Sequence, residues 1–140
     1  MRKGNGLVYA TAFILCGSRD FEDGDVVWDA CNLSPWSPNR RDVFRRGIVI
    51  SGGARGVDSY ADMVAKSFAY RLDVYPADWK NLGRSAGIVR NTQMLKALIS
   101  HQVEGYDVGV VAVWKDRSRG TKDMIRQALA SKIPVFIWPV

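Results

Sequence analysis

Short apolar runs alternate along the chain with segments in which apolar residues recur every three or four positions. Five of these runs have the length and composition of buried strands. They predict strands over residues 10–16, 47–51, 72–75, 108–114 and 134–138. The run at 108–114 is almost continuously apolar, which is typical of a central parallel strand that is covered on both faces.

Helical periodicity fills most of the chain between the strands. It predicts helices over residues 25–33, 57–70, 88–99 and 121–131. In the last helix, the side chains expected to face inward are Met124, Ile125, Ala128 and Leu129. Residues 77–86 are polar and contain glycine, so they are predicted to form a functional loop without regular structure.

Strands that alternate with helices predict parallel βαβ units with right-handed crossovers. The expected fold class is α/β: one doubly wound domain over residues 10–140, with a mainly parallel sheet of about five strands and helices on both faces. Residues 1–9 are expected to form an N-terminal tail. Ligands of such folds bind beyond the carboxyl ends of the strands. The segments 17–20, 52–58, 77–84 and 114–121 should therefore share one rim.

Composition narrows the class of protein without defining its function. A chain of 140 residues with 47% hydrophobic and 24% charged residues suits one soluble domain. The net charge of +6 is spread evenly along the chain, which disfavours a nucleic-acid-binding tail or stripe. Cys16 and Cys31 are expected to be buried free thiols in a reducing cytoplasm. Neither a metal site nor contact with a membrane is predicted.

A glycine turn between the second strand and the second helix is the first candidate for a binding site. Gly52, Gly53 and Gly56 would clear side chains from the turn, so that backbone N–H groups could approach a ligand. The helix N-terminus that follows would favour an anion such as phosphate. Asp58 then has two interpretations: it interacts with the helix dipole, or its carboxylate accepts hydrogen bonds from ribose hydroxyls.

Arginines are numerous on the predicted rim. The set comprises Arg19, Arg55, Arg84, Arg117 and Arg119, with Arg90 on the adjoining helix. Guanidinium groups can bind phosphate through two parallel hydrogen bonds. Several of these arginines are therefore predicted to contact a ligand phosphate.

A second glycine turn precedes the last helix. Gly120 would permit close approach of a ligand, and the Thr121 hydroxyl could cap the helix or bind phosphate. Asp123 is expected in the first helical turn, where the helix dipole favours a carboxylate. Two further rim residues, Asp20 and Asp78, could contact the ribose. Three aromatic residues could either stack on a base or pack in the core: Tyr60, Trp79 and Trp114.

Motifs that occur in order along the chain carry a family resemblance: GSRDF (17–21), SGGARGVD (51–58), PADW (76–79), GRSAGIVRNTQM (83–94) and RGTKDM (119–124). The series resembles the YspA/cpYpsA-related branch of the SLOG superfamily. This resemblance implies a Rossmann-like fold, a homodimer, and a site for a nucleotide-derived ligand such as ADP-ribose or a nucleoside monophosphate. The candidate ligand-binding residues are Gly17, Ser18, Arg19, Gly52, Gly53, Arg55, Gly56, Asp58, Trp79, Arg84, Asn91, Arg119, Gly120 and Thr121.

The same superfamily includes the LOG phosphoribohydrolases and the DNA-processing protein A family. The chain matches the LOG pattern at Arg90 and at Gly120-Thr121, but residues 116–118 replace its Pro-Gly-Gly portion. Met124 stands where the LOG motif has glutamate, and the neighbouring Asp123 would point about 100° away. The candidate catalytic residues for N-glycoside hydrolysis are Arg90, Asp123 and Asp78.

Three functions remain open at this point. The protein could hydrolyse the N-glycosidic bond of its ligand, or it could only bind that ligand as a sensor or sequestering protein. The third alternative is nucleic-acid binding, by resemblance to the DNA-processing protein A family. No cofactor is expected apart from the nucleotide-derived ligand.

Overall fold

The computed structural model of the protein describes residues 8–38, 44–115 and 118–140. Its strands are β1 (Val8–Gly17), β2 (Phe44–Ser51), β3 (Arg71–Val74), β4 (Asp107–Trp114) and β5 (Val135–Pro139). Its α-helices are α1 (Gly24–Leu33), α2 (Ala61–Phe68), α3 (Trp79–Leu82), α4 (Ala86–Val103) and α5 (Arg119–Ala130). Two 3-10 helices cover Gly56–Tyr60 and Gly83–Ser85.

All five strands form one parallel sheet in the order β3-β2-β1-β4-β5. Side chains of β1 alternate between its two faces, as the period of two in a strand requires. Phe13 and Leu15 pack with α1 and α2, whereas Ile14 packs with α4 and α5 on the other face. The predicted fold class is confirmed: the protein is an α/β, Rossmann-like, doubly wound single domain.

The prediction that residues 77–86 form a loop is wrong. The segment contains α3 and a 3-10 turn, and its last residue begins α4. Asp78 caps α3, because its carboxylate accepts a hydrogen bond from the backbone N–H of Asn81 at 3.2 Å. Gly83 then ends α3 with a φ of +55°. A four-residue helix is too short to show hydrophobic periodicity, so the sequence pattern gave no sign of it.

The helix predicted over residues 57–70 is divided into two parts. A 3-10 helix spans Gly56–Tyr60, and α2 begins only at Ala61. The spacing of Ala61, Val64, Ala65 and Phe68 places them on one face of α2, and all four are buried. Asp58 therefore lies in the tighter 3-10 turn, which directs its carboxylate back toward the glycine turn.

Two expectations for the last helix are wrong. Because α5 begins at Arg119, Asp123 lies in its second turn rather than its first. Leu129 was expected to face inward, but it is 59% exposed. Successive helical residues point about 100° apart, and the preceding Ala128 already occupies the buried face.

Strand order reverses between β1 and β4. From β1 the sheet extends through β2 to β3 on one side and through β4 to β5 on the other. The segments that follow β1 and β4 therefore lead to opposite faces and leave a crevice between them. In the described part of the chain, Cys16 and Cys31 are free and buried, as predicted. None of the described helices is long and apolar enough to cross a membrane.

Candidate functional site

A cavity of about 660 Å³ lies at the carboxyl rim of the sheet, beside the point where strand order reverses. Its volume falls within the range of about 300–1,000 Å³ that is usual for small-molecule sites. It brings together residues from the end of β1, from the segment that follows β2 and from the starts of α3, α4 and α5. The predicted site residues that line it are Gly17, Ser18, Arg19, Asp58, Trp79, Arg84, Arg90, Asn91, Arg119, Gly120, Thr121 and Asp123.

Other predicted residues lie elsewhere. Gly52, Gly53 and Asp78 do not line the cavity, and Arg55, Gly56 and Tyr60 line a separate hollow beside it. Trp114 packs against the core under α4 and α5, and its indole N–H has no acceptor among the described residues. Arg117 and Asp116 lie outside the described residues.

Arg90 occupies the space above the first glycine turn. From α4, its Nη1 donates to the carbonyl oxygen of Gly52 at 2.8 Å, and its Nε donates to Asn91 Oδ1 at 3.2 Å. A Cβ at Gly52 would overlap this guanidinium, lying only 2.5 Å from Arg90 Cζ. Gly52 therefore makes room for Arg90, which sequence analysis did not foresee.

Arg90 is only 7% exposed, yet it lines the cavity. Burial lowers the pKa of its guanidinium, and the nearby Asp58 carboxylate opposes that shift. Within the described part of the chain, its second terminal nitrogen, Nη2, makes no hydrogen bond. This nitrogen is not among the fully buried unpaired atoms of the described residues, so it faces the cavity and is available to an acceptor that enters there.

Asp58 supplies a buried carboxyl group to the same cavity. Its side chain accepts a hydrogen bond from the Ala54 backbone N–H at 3.3 Å, so this amide of the glycine turn is already occupied by the protein itself. Burial raises the pKa of the Asp58 carboxyl to about 6, although the Ala54 hydrogen bond and the charges of Arg90 and Arg19 act in the opposite direction.

The start of α5 is the more open of the two candidate positions for an anion. Ser118 occupies the N-cap position, but its hydroxyl lies 2.8 Å from the Thr121 hydroxyl and accepts no hydrogen bond from the helix amides. A Cβ at Gly120 would meet nothing within 4 Å, so space remains beside the first turn. Thr121 is buried as the third helical residue, and the prediction that it could cap the helix is wrong. Among the described residues, no side chain caps these first amide groups.

Asp123 lines the cavity, but both of its carboxylate oxygens are engaged. Oδ2 accepts from Asn91 Nδ2 at 3.0 Å and from Gln127 Nε2 at 2.8 Å, and Oδ1 accepts from Arg126 Nη2 at 2.6 Å. Asn91 also donates to the Gly120 carbonyl oxygen at 3.1 Å. This network joins α4 to the first turns of α5 and holds the α5 N-terminus against the cavity.

Replacing Asp123 with alanine is expected to lower the free energy of unfolding by about 2–3 kcal/mol, because three donors would lose a charged acceptor. Urea denaturation would measure the change. The control is Asp62→Ala, which removes an exposed ion pair with Lys66 and should change stability by about 0.5 kcal/mol or less. Equal effects of the two substitutions would contradict the structural role of Asp123.

A flat surface lies at the mouth of the cavity. The guanidinium carbon of Arg19 is 5.0 Å from the centroid of the Trp79 ring. That ring lies over the start of α4, where a Cβ at Gly87 would be 3.4 Å from it. Trp79 is about half exposed, so one aromatic edge remains accessible to a ligand.

The charges around the cavity favour an anion. Arginines 19, 84, 90 and 119 line it together with aspartates 20, 58 and 123. Asp20 has a cation nearby, with 3.6 Å between its carboxylate and Lys115 Nζ, and Asp123 is paired with Arg126. Within the described residues, Arg84 and Arg119 are exposed and form no ion pair. Their charge therefore remains available to a ligand.

Several residues that line the cavity were not named as candidate site residues, although Ala54 and Ser118 lie in segments predicted to share the rim: Cys16, Ala54, Gly87, Ile88, Met94 and Ser118. Met94 lies four positions after Arg90 on α4, so helical spacing could have identified it. Ala54 carries no chemical signal of its own. Its place in the cavity follows only from the fold, which brings its backbone N–H within hydrogen-bond distance of the Asp58 carboxylate.

No protein-family model matches the chain, and no solved structure matches it. One curated protein, the Gene 61 protein of Mycobacterium phage D29, is 34% identical over 132 residues. The match covers 88% of this chain and 92% of that protein. The chain therefore belongs to the same family as the Gene 61 protein of Mycobacterium phage D29.

Proposed function

We propose that the protein binds a nucleotide-derived ligand in the rim cavity, with a phosphate group at the start of α5. One observation carries the proposal: a single cavity combines the uncapped first turn of α5 with four arginines. Backbone N–H groups at a helix N-terminus bind phosphate oxygens, and the helix dipole adds to the attraction. The Asp123 network supports this role because it fixes the helix end in place.

Arginines would complete the phosphate site. Arg119 begins α5 and is exposed, so its guanidinium can approach a phosphate on the first helical turn without breaking an existing ion pair among the described residues. Arg90 would add its free Nη2 from the floor of the cavity. A buried cation that is already held by Gly52 loses little side-chain freedom when the ligand binds.

The remaining features suit a nucleoside. When ionised, Asp58 can accept hydrogen bonds from ribose hydroxyls, as acidic residues do in other doubly wound nucleotide sites. The Arg19 guanidinium, which lies over the Trp79 ring, offers a flat surface on which a base can stack. Phosphate, sugar and base would thus each meet a chemically suitable part of the cavity.

Arg119→Ala provides the test of this proposal. Loss of one charge-assisted phosphate contact is expected to weaken binding of the best nucleoside monophosphate about 10- to 100-fold. The control is Arg46→Ala, which removes the same charge from an exposed position of β2, five residues before the rim. Isothermal titration calorimetry would measure both affinities. Equal losses in the two variants, or no binding of any nucleotide to the unmodified protein, would contradict the proposal.

A second candidate function is hydrolysis of the N-glycosidic bond in that ligand, and Asp58 favours it. A buried carboxyl with a pKa of about 6 in a cavity is suited to proton transfer near neutral pH. Water would attack the anomeric carbon while the base departs with a proton. Asp123 has both oxygens engaged and Asp78 lies outside the cavity lining, so Asp58 replaces them as the candidate carboxylate. Chromatography after long incubation would detect free base, and an intact ligand would exclude this activity.

A further inference from the structure

A second hollow of about 640 Å³ adjoins the cavity. The two share Arg19 and Asp20, which form the ridge between them. The hollow is also lined by the 3-10 helix that follows the first glycine turn and by the segment before α1. Each space alone is large enough for one small-molecule unit.

The ridge between the two spaces is held firmly. The backbone N–H of Val57 donates to the Ser18 carbonyl oxygen at 3.1 Å, and Ser18 itself is buried. Gly56 lies directly against this loop, so that a Cβ there would overlap the backbone of Ser18 and Arg19. Arg19 therefore projects from a fixed loop, with its guanidinium stacked toward Trp79 in the first cavity.

The second hollow offers a cation and an aromatic wall. Arg55 is exposed and makes no hydrogen bond or ion pair with the described residues. The Tyr60 hydroxyl donates to the Glu22 carbonyl oxygen at 2.8 Å, which fixes the orientation of its ring. That ring packs on Gly24, where a Cβ would lie 2.8 Å from it. The wall is thus preorganised, and Arg55 is free to bind an anionic or hydroxyl-bearing group.

We propose that the ligand extends past Arg19 into this hollow, so that the protein binds two nucleoside units joined by a diphosphate rather than a single mononucleotide. The inference rests on the proposed function, because the first unit occupies the rim cavity as described above. One of the two linking phosphates would lie at the start of α5, and the other would meet Arg19 on the ridge. The second nucleoside would lie against Tyr60, with Arg55 beside its ribose and phosphate.

The experiment compares ligands of two lengths. The four common ribonucleoside 5′-monophosphates are titrated first, and then the P1,P2-dinucleoside diphosphate that carries the preferred base. We expect the dinucleoside ligand to bind at least about tenfold more tightly, because it adds a charge-assisted contact and an aromatic contact. Arg55→Ala should remove about tenfold of the dinucleoside affinity and leave the monophosphate affinity within about twofold. Arg46→Ala is the control for charge and should affect neither ligand.

The outcomes distinguish failure of the second nucleoside subsite from failure of the proposed function. If a monophosphate binds and the dinucleoside ligand binds no more tightly, the second nucleoside subsite is overturned and the proposed function stands. Equal weakening of both ligands by Arg55→Ala would also overturn the second nucleoside subsite, because the hollow would not be a separate subsite. If neither ligand binds to the unmodified protein, the proposed function fails and the second nucleoside subsite fails with it.

Discussion

Replacing Gly56 with alanine is expected to lower the free energy of unfolding by about 3 kcal/mol and to weaken ligand binding strongly. Gly56 has a φ of +69°, a left-handed conformation that costs an L-residue roughly 1–2 kcal/mol. An alanine Cβ would also overlap the Ser18 carbonyl oxygen and lie 2.5 Å from the Arg19 carbonyl carbon. These are backbone atoms, so the loop that carries Arg19 would have to move, at a further cost of about 1–3 kcal/mol.

Gly83→Ala is the matched control for this substitution. Gly83 also has a left-handed φ, of +55°, but a Cβ there would meet nothing within 4 Å. Its replacement should cost only the backbone strain, about 1–2 kcal/mol. Urea denaturation would give both free energies, and calorimetric titration would give the affinities. If the two variants lost equal stability, the contact between Gly56 and the Ser18–Arg19 backbone would contribute nothing.

Raising the pH from about 4 to about 6 is expected to remove about 2 kcal/mol of stability through Asp58 alone. Burial raises the pKa of this carboxyl to about 6 in the folded protein, whereas its ordinary value is 3.8. Between these two values the folded state binds a proton that the unfolded state has released. The stabilisation is therefore fully present below the unfolded pKa and is lost as the pH rises through the folded pKa.

Asp58→Asn isolates this contribution. The amide keeps an oxygen that can accept from the Ala54 N–H, but it has no titratable proton in this range. Free energies of unfolding measured from pH 4 to pH 7 should therefore fall more steeply in the unmodified protein than in the variant. Asp62→Asn, at an exposed position of α2, should leave the pH dependence almost unchanged. Parallel curves for the unmodified protein and Asp58→Asn would contradict a raised pKa at Asp58.

The homodimer, the cytoplasmic location and the nucleic-acid-binding alternative stay predictions. Nucleic-acid binding has a clear experimental signature, since the affinity for single-stranded DNA would fall steeply with salt concentration. The charges of the described residues do not favour it over a small ligand. Arg84 and Arg119, which form no ion pair among the described residues, line one cavity rather than an extended surface.

The sequence by itself determined the fold class and the rim of the sheet on which the candidate site lies. Hydrophobic periodicity is a local property, so it identified five strands and the four longer helices without knowledge of the tertiary structure. In a parallel sheet, the segments that follow strands reach one rim, which is why Arg19, Arg119 and Gly120 were predicted to lie together. A helix as short as α3 contains too few residues to show that periodicity.

Only the tertiary structure decided how the site residues interact. Arg90 fills the space above Gly52, although the two residues are 38 positions apart in the sequence. Asn91 donates to Asp123, which is 32 positions away. The Asp58 carboxylate accepts the hydrogen bond of the Ala54 backbone N–H, which the glycine turn was expected to offer to a ligand. A residue type shows which contacts it can make, but its partner depends on which atoms packing brings within hydrogen-bond distance. Packing therefore engages an amide of the first glycine turn and leaves the first amides of α5 without a side-chain cap among the described residues, which is why we propose the phosphate site there.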